Sequence, residues 1–139
     1  MAESGYLVDT SVLARAPQKV VGERLERLAE AGQLWSCRLI DLEVAYGSRS
    51  RDVAEVIAER RALPEAVITP AVMDRAVQMA GLLSAAGHHR GAKPVDLVIA
   101  AAAEARSLTV LHYDSDYDRI SRVTGQPAEW VAARGTLDR

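Results

Sequence analysis

The chain has 139 residues, of which 49% are hydrophobic and 26% charged, with a formal net charge of −2. That is the length and balance of one globular domain, without the basic excess of a protein held on nucleic acid by phosphate neutralisation alone. Phenylalanine is absent, and two tryptophans and four tyrosines are too few rings for an open platform of stacked bases. The single cysteine, Cys37, excludes an intramolecular disulfide, and no basic-then-apolar leader or membrane-length apolar run is present, so a cytoplasmic protein without membrane contact is expected.

Tyr6-Leu7-Val8 is a short apolar run that stops at Asp9, the pattern of a buried parallel strand. Thr10 and Ser11 then offer hydroxyls to cap a helical turn. After Pro17, residues Val21, Leu25, Leu28 and Ala29 recur at helical spacing as far as Gly32, which suits a C-terminal cap. Ser36 is expected to cap a helix running through Leu39, Ile40 and Tyr46 to Gly47. Val53, Val56 and Ile57 mark a further amphipathic stretch that stops near Pro64, with Arg60 and Arg61 on its exposed face. Ala66-Val67-Ile68-Thr69, closed by Pro70, reads as a second strand. Ala76, Met79, Ala80 and Leu83 trace one helix face that ends at Gly87. Pro94 stands at the first turn of the next helix, and the alanine-rich segment from Val95 to Arg106 predicts a buried one. Leu108 to Leu111 is a third strand, and Glu129-Trp130-Val131 a fourth. Strands separated by helices, without repeats or linkers, predict one α/β domain with a mainly parallel sheet.

Acidic residues inform most where a solvated surface is not expected. Asp9 directly follows an apolar strand, and ligand sites of parallel α/β sheets lie beyond the carboxyl ends of strands. Capping of the following turn is the competing account of the same residue. Glu43 shares a helix face with Leu39, Ile40, Tyr46 and Gly47, where a carboxylate needs a cation, a partner or a mouth to solvent. Asp41 falls on another face within reach of Arg38 and reads as structural. Asp96 lies in the first turn after Pro94, where the helix dipole favours ionised carboxylate, and its face continues through Ile99, Ala100 and Ala103. Beyond the third strand Asp114 mirrors Asp9, Asp116 is an auxiliary, and Asp118 is expected to meet solvent or Arg122. The run lacks the sixth-position glycine and twelfth-position glutamate of an EF-hand loop.

Two acids at strand ends and two on apolar helix faces predict one convergent cluster. Carboxylates packed together repel and partly protonate unless a counter-charge joins them. A divalent cation resolves that conflict, and an all-oxygen set favours Mg²⁺ or Mn²⁺ over Zn²⁺.

At these residues the chain resembles the PIN-domain ribonucleases, specifically VapC-type toxins of bacterial toxin–antitoxin pairs. The segments that carry the resemblance are Leu7-Val8-Asp9-Thr10-Ser11, Ile40-Asp41-Leu42-Glu43-Val44, the run from Lys93 through Pro94 and Asp96 to Ala101, and the run from Val110 through Asp114, Asp116 and Asp118 to Ile120. The tail from Thr124 to Val131 is also similar, so the ordered set spans nearly the whole chain. The resemblance implies a three-layer αβα fold, Mg²⁺ or Mn²⁺, a homodimer, and a VapB-like antitoxin whose tail blocks the site. It places the family's four acids on Asp9, Glu43, Asp96 and Asp114, with Asp116 sometimes a fifth, and has Thr10 and Ser11 orient Asp9. Two positions depart from it: Tyr117, where the family often has Phe, and His112, where many members have Thr or Ser.

The activity so implied is metal-dependent endonucleolytic hydrolysis of RNA (tRNA, rRNA or mRNA). Asp9 and Asp96 are then the principal metal ligands, and Glu43 and Asp114 hold a second ion or bridging waters. Arg49, Arg51, Arg90 and Lys93 are candidates to meet the RNA backbone, although the segment from His88 to Lys93 also reads as a plain solvated helix end. Adjacent His88 and His89 diverge there and are not expected as ligands. Two other readings compete. A phosphatase of the haloacid-dehalogenase type also begins with a strand-end Asp, but it wants Asp-x-Asp, and Thr10, Ser11 and Val12 follow Asp9. A catalytically inactive PIN-like partner-binding domain is the other, against which stands the presence of all four acids.

Overall fold

The computed structural model describes residues 5–138. Four parallel strands, β1 (Tyr6–Val8), β2 (Leu34–Trp35), β3 (Thr109–His112) and β4 (Ala128–Trp130), form one sheet in the order β2-β1-β3-β4. Leu7 lies beside Val110 and Val8 beside Leu111. Alternation along each strand sends Leu7 and Val110 into one core and Val8 and Leu111 into another. A parallel sheet buried on both faces explains why these strands read as continuous apolar runs rather than alternating ones.

Helices α1 (Thr10–Leu13) and α2 (Lys19–Glu30) cover the second core through Val12, Val21 and Leu28. The helix α3 (Arg38–Gly47) covers the first core through Ile40, and α4 (Val53–Arg61) packs against α3 after a 3-10 turn at Ser50–Asp52. The remaining helices, α5 (Pro70–Ala85), α6 (Pro94–Ala105) and α7 (Asp116–Thr124), complete that same layer through Met79, Leu83, Ile99 and Ile120. The result is three layers, αβα. Ala100, Ala101, Ala102 and Ala103 are all buried, and their small side chains let α6 lie against β1, β3 and α5 together. That packing sets the N-terminal end of α6, with Asp96, beside the carboxyl ends of the two central strands.

Three expectations about local structure need correction. The second strand is Leu34–Trp35, not Ala66 to Thr69. Ala66 donates to the Ser36 carbonyl at 2.8 Å and Ser36 to the Pro64 carbonyl at 3.0 Å, but pairing stops at a single bridge between Ser36 and Glu65. The chain then leaves the sheet because Thr69 and Pro70 open α5: the Thr69 hydroxyl accepts from the Val72 amide at 3.1 Å, and Pro70 is the first helical residue. Ser36 does not cap α3 either; Cys37 holds that place, and the Ser36 hydroxyl donates to Asp41 Oδ1 at 2.6 Å.

Arg60, read as part of an exposed face, is buried. Its Nε donates to Asp41 Oδ1 at 3.0 Å and its terminal nitrogen to the Ser36 hydroxyl, while Arg38 donates to Asp41 Oδ2 at 2.9 Å. A guanidinium taken out of water must be paired, and Asp41 is what pairs it. Asp41 is therefore structural, as its spacing from Arg38 suggests.

Candidate metal centre

Asp9 extends the β1 ladder by one residue, its amide donating to the Leu111 carbonyl at 2.9 Å, and it also caps α1. Its Oδ2 accepts from the Ser11 amide at 3.1 Å and the Ser11 hydroxyl at 2.6 Å. Its Oδ1 accepts from the Tyr117 hydroxyl at 2.8 Å. The Ser11 hydroxyl oxygen in turn accepts from the Tyr113 amide at 2.9 Å, which ties the end of β1 to the end of β3. Capping and site-building are thus two uses of one carboxylate.

Glu43, half-buried on α3, accepts at Oε1 from the Thr10 hydroxyl at 2.8 Å. Asp96 is 3% exposed in the first turn of α6, with Oδ1 3.3 Å from the Tyr117 hydroxyl. Its Oδ2 is buried without a hydrogen bond, 3.2 Å from the Lys93 ammonium. Asp114 accepts at Oδ1 from the Asp116 amide at 2.9 Å. Asp9, Glu43, Asp96 and Asp114 line one cavity of about 540 Å³ together with Thr10, Ser11 and Lys93. Asp116 adjoins it, since one oxygen each of Asp96, Asp114 and Asp116 lie within 4.8 Å of one another. Asp96 Oδ2 is buried with only a positive charge, the Lys93 ammonium, beside it, and an all-oxygen donor set of this kind fits a hard divalent cation.

The electrostatics follow from this crowding. Burial, a hydrogen bond with Asp116 and the charge of Asp9 push the Asp96 carboxyl up to about 7, against the pull of Lys93. Burial also acts to raise Asp116, but hydrogen bonds from Lys93 and Asp96 outweigh it and hold that carboxyl near 2. Tyr117, buried and facing Asp9 and Asp96, is pushed well above the ordinary phenol range and stays a donor. His112 is lowered by burial against the opposing charges of Asp118, Asp9 and Asp114. Its Nδ1 accepts from the Asp114 amide at 3.2 Å and its ring packs 5.0 Å from both Tyr117 and Trp130, so it lies beneath the acids and aims Asp114.

The basic candidates fall in different places. Arg90 lines a neighbouring cavity of about 610 Å³ with His88, His89, Lys93 and Asp116. Lys93 turns its ammonium onto the acids themselves. Arg49 and Arg51 are exposed beyond the C-terminal end of α3 and do not line the acidic cavity. Asp118 accepts from the Trp130 indole at 3.0 Å rather than meeting Arg122.

Sequence reasoning missed two features. The Tyr117 hydroxyl bridges two of the acids, and its signal was the one extra oxygen relative to Phe. A third cavity, about 390 Å³, abuts Asp114 and is lined by Arg15, Tyr113, Trp130 and Arg134. Arg15 stacks over Tyr113 at 4.5 Å and Arg134 over Trp130 at 5.9 Å, and neither guanidinium pairs with an acid among the described residues.

A model of the PIN domain matches residues 6–123, and the chain belongs to that family. Relatives similar along almost their whole length are VapC ribonucleases of Mycobacterium tuberculosis. Ribonuclease VapC21 is 44% identical over 94% of this chain and 96% of its own, and Ribonuclease VapC51 is 40% identical over 96% and 97%. Among solved structures, the DNA-bound VapBC of Salmonella typhimurium superposes with a TM-score of 0.75 at 18% identity, covering 94% of this chain and 100% of that one. VapBC2 of Rickettsia felis, bound to a fragment of promoter DNA, gives 0.70 at 18% identity over 90% and 97%. These two likenesses carry the fold.

Proposed function

We propose that the protein is the toxin of a toxin–antitoxin pair, an endoribonuclease that depends on Mg²⁺ or Mn²⁺. The observation that carries this reading is the meeting of Asp9, Glu43, Asp96 and Asp114 around one cavity at the carboxyl ends of β1 and β3. Asp9 and Asp96 are the residues to hold the cation. Bound there, it supplies positive charge to phosphate oxygens and acidifies a water. The chain does the rest. Tyr117 and Ser11 fix Asp9, Thr10 fixes Glu43, and Glu43 takes the proton of the attacking water. Because Ser11 stands two residues after Asp9, where a phosphatase of the Asp-x-Asp kind carries its second acid, transfer through an aspartyl-phosphate finds no carboxyl group to serve as its acid there.

The RNA strand passes the acids between two basic rims, Arg90 with His88 and His89 on one side and Arg15 with Arg134 on the other. Tyr113 and Trp130 give a base something to stack on beside Asp114. Arg49 and Arg51 meet backbone further out. A VapB-like antitoxin has a seat at the mouth: Leu42 is 66% and Tyr46 93% exposed, and with Thr10 and Glu43 they line a mostly apolar cavity of about 470 Å³. A homodimer belongs to the same reading, with Met73 and Val77 exposed one turn apart on α5. Among the described residues no helix is long and apolar enough to cross a membrane; a cytoplasmic site of action belongs to the proposed reading.

Purified protein is expected to cut RNA when Mg²⁺ or Mn²⁺ is present, and Asp9→Asn or Asp96→Asn to abolish cutting. Full activity in both variants refutes the assignment. Mapping of new RNA ends after brief expression in cells, with Asp96→Asn as control, identifies the class of RNA.

A further inference from the structure

The five carboxylates of the centre are not neutralised alike. Lys93 Nζ lies 2.8 Å from Asp116 Oδ2, 2.9 Å from Asp114 Oδ2 and 3.2 Å from Asp96 Oδ2. It therefore stands on the three acids whose oxygens are spaced for a single cation. Other donors fill the remaining oxygens of Asp114 and Asp116: Asp114 Oδ1 takes the Asp116 amide, and Asp116 Oδ1 takes Arg119 at 2.7 Å. Asp9 and Glu43 have a different environment. Their partners are hydroxyls of Ser11, Tyr117 and Thr10 and one backbone amide, and no Lys, Arg or His pairs with either among the described residues.

The backbone holds Lys93 in this position. Its own amide donates to Asp116 Oδ2 at 3.1 Å. The turn before it is tight: Arg90 has φ 63°, the Gly91 amide donates to the His88 carbonyl at 2.7 Å, and a side chain at Gly91 would come within 2.7 Å of that same oxygen. Arg119 clamps the turn from the other side by donating to the Gly91 carbonyl. The ammonium is thus delivered by a built loop with anchors on both flanks.

We propose that Lys93 supplies one of two cation positions in this centre, so that the protein takes a single divalent ion, on the Asp9 side. This rests on the metal-dependent reading above. The charge balance permits it: Lys93 and Arg119 offset two of the five carboxylates, and one divalent ion offsets two of the three that remain. From its position between Asp96 and Asp114, the ammonium faces the same cavity as the ion and offers its charge to the substrate phosphate.

The test counts bound ions rather than turnover. Mn²⁺ is titrated into the wild-type protein, Lys93→Met and Lys93→Arg, with free Mn²⁺ followed by its paramagnetic resonance signal and folding checked by circular dichroism. One Mn²⁺ per chain in wild type and Lys93→Arg, and two in Lys93→Met, is the expected result. Two in wild type, or one in both wild type and Lys93→Met, overturns the proposal and leaves the ribonuclease reading standing. Mn²⁺ binding in none of the three overturns both.

Discussion

Asp41 and Glu43 stand two residues apart on α3, and the proposed function gives them opposite tasks that a pair of substitutions separates. Asp41 is 9% exposed and holds Arg60, itself 8% exposed, with Ser36 and Arg38 completing the network. Removing one partner of a buried ion pair leaves the other charged and unpaired, which costs about 3–5 kcal/mol. Glu43 is half-exposed with one hydroxyl donor, and Glu43→Gln keeps its shape, so the loss is about 1 kcal/mol. With a urea slope of about 2 kcal/mol/M, Asp41→Ala is expected to lower the unfolding midpoint by about 2 M and Glu43→Gln by about 0.5 M. Function follows the reverse order: Glu43→Gln loses RNA cleavage, whereas Asp41→Asn, which preserves more of the network, cleaves wherever it is folded. Equal midpoints for Asp41→Ala and Glu43→Gln would refute the division. So would loss of cleavage in a well-folded Asp41→Asn.

Three further expectations come from the same geometry. Asp96 sits near 7 because burial and neighbouring acids disfavour its charge, so a cation must expel a proton below that pH. Calorimetric Mn²⁺ affinity is expected to weaken about tenfold per pH unit below 7 and to level off above it; affinity independent of pH contradicts this. In the metal-free protein the raised carboxyl acts in the opposite sense, so stability falls as pH climbs from the ordinary carboxylate range towards 7. Tyr117→Phe removes the donor that Asp9 shares with Asp96 and is expected to weaken Mn²⁺ binding about tenfold at unchanged secondary structure; unaltered affinity would make the hydroxyl a packing detail.

The layers of the fold were legible in the sequence because the sheet is buried on both faces, so β1 and β3 announce themselves as apolar runs. β2 did not, because two residues, Leu34–Trp35, carry no period to read. Ala66 to Thr69 imitated a strand by composition alone, while Thr69 and Pro70 were already the opening of α5. Arg60 was misjudged because nothing local to α4 reveals a partner nineteen residues earlier in the chain. The acids were traceable as charges where burial was expected. What the sequence did not yield was their partners. The Tyr117 hydroxyl reaches Asp9, and the Lys93 ammonium reaches Asp114 and Asp116, through contacts set by the packing of α6 and α7, whereas Lys93 with Asp96 and His112 with Asp114 are close in the chain.

The centre draws Asp9 and Glu43 from the first third of the chain and Asp96 and Asp114 from the last, with β1 held between β2 and β3. While a ribosome is still making the protein, only the first pair exists in the open. The Tyr113 amide that steadies Ser11, and the Tyr117 hydroxyl that steadies Asp9, arrive later still. On the proposed reading, a nascent or prematurely terminated chain lacks half of the acids and is not expected to cut the RNA that surrounds it during translation.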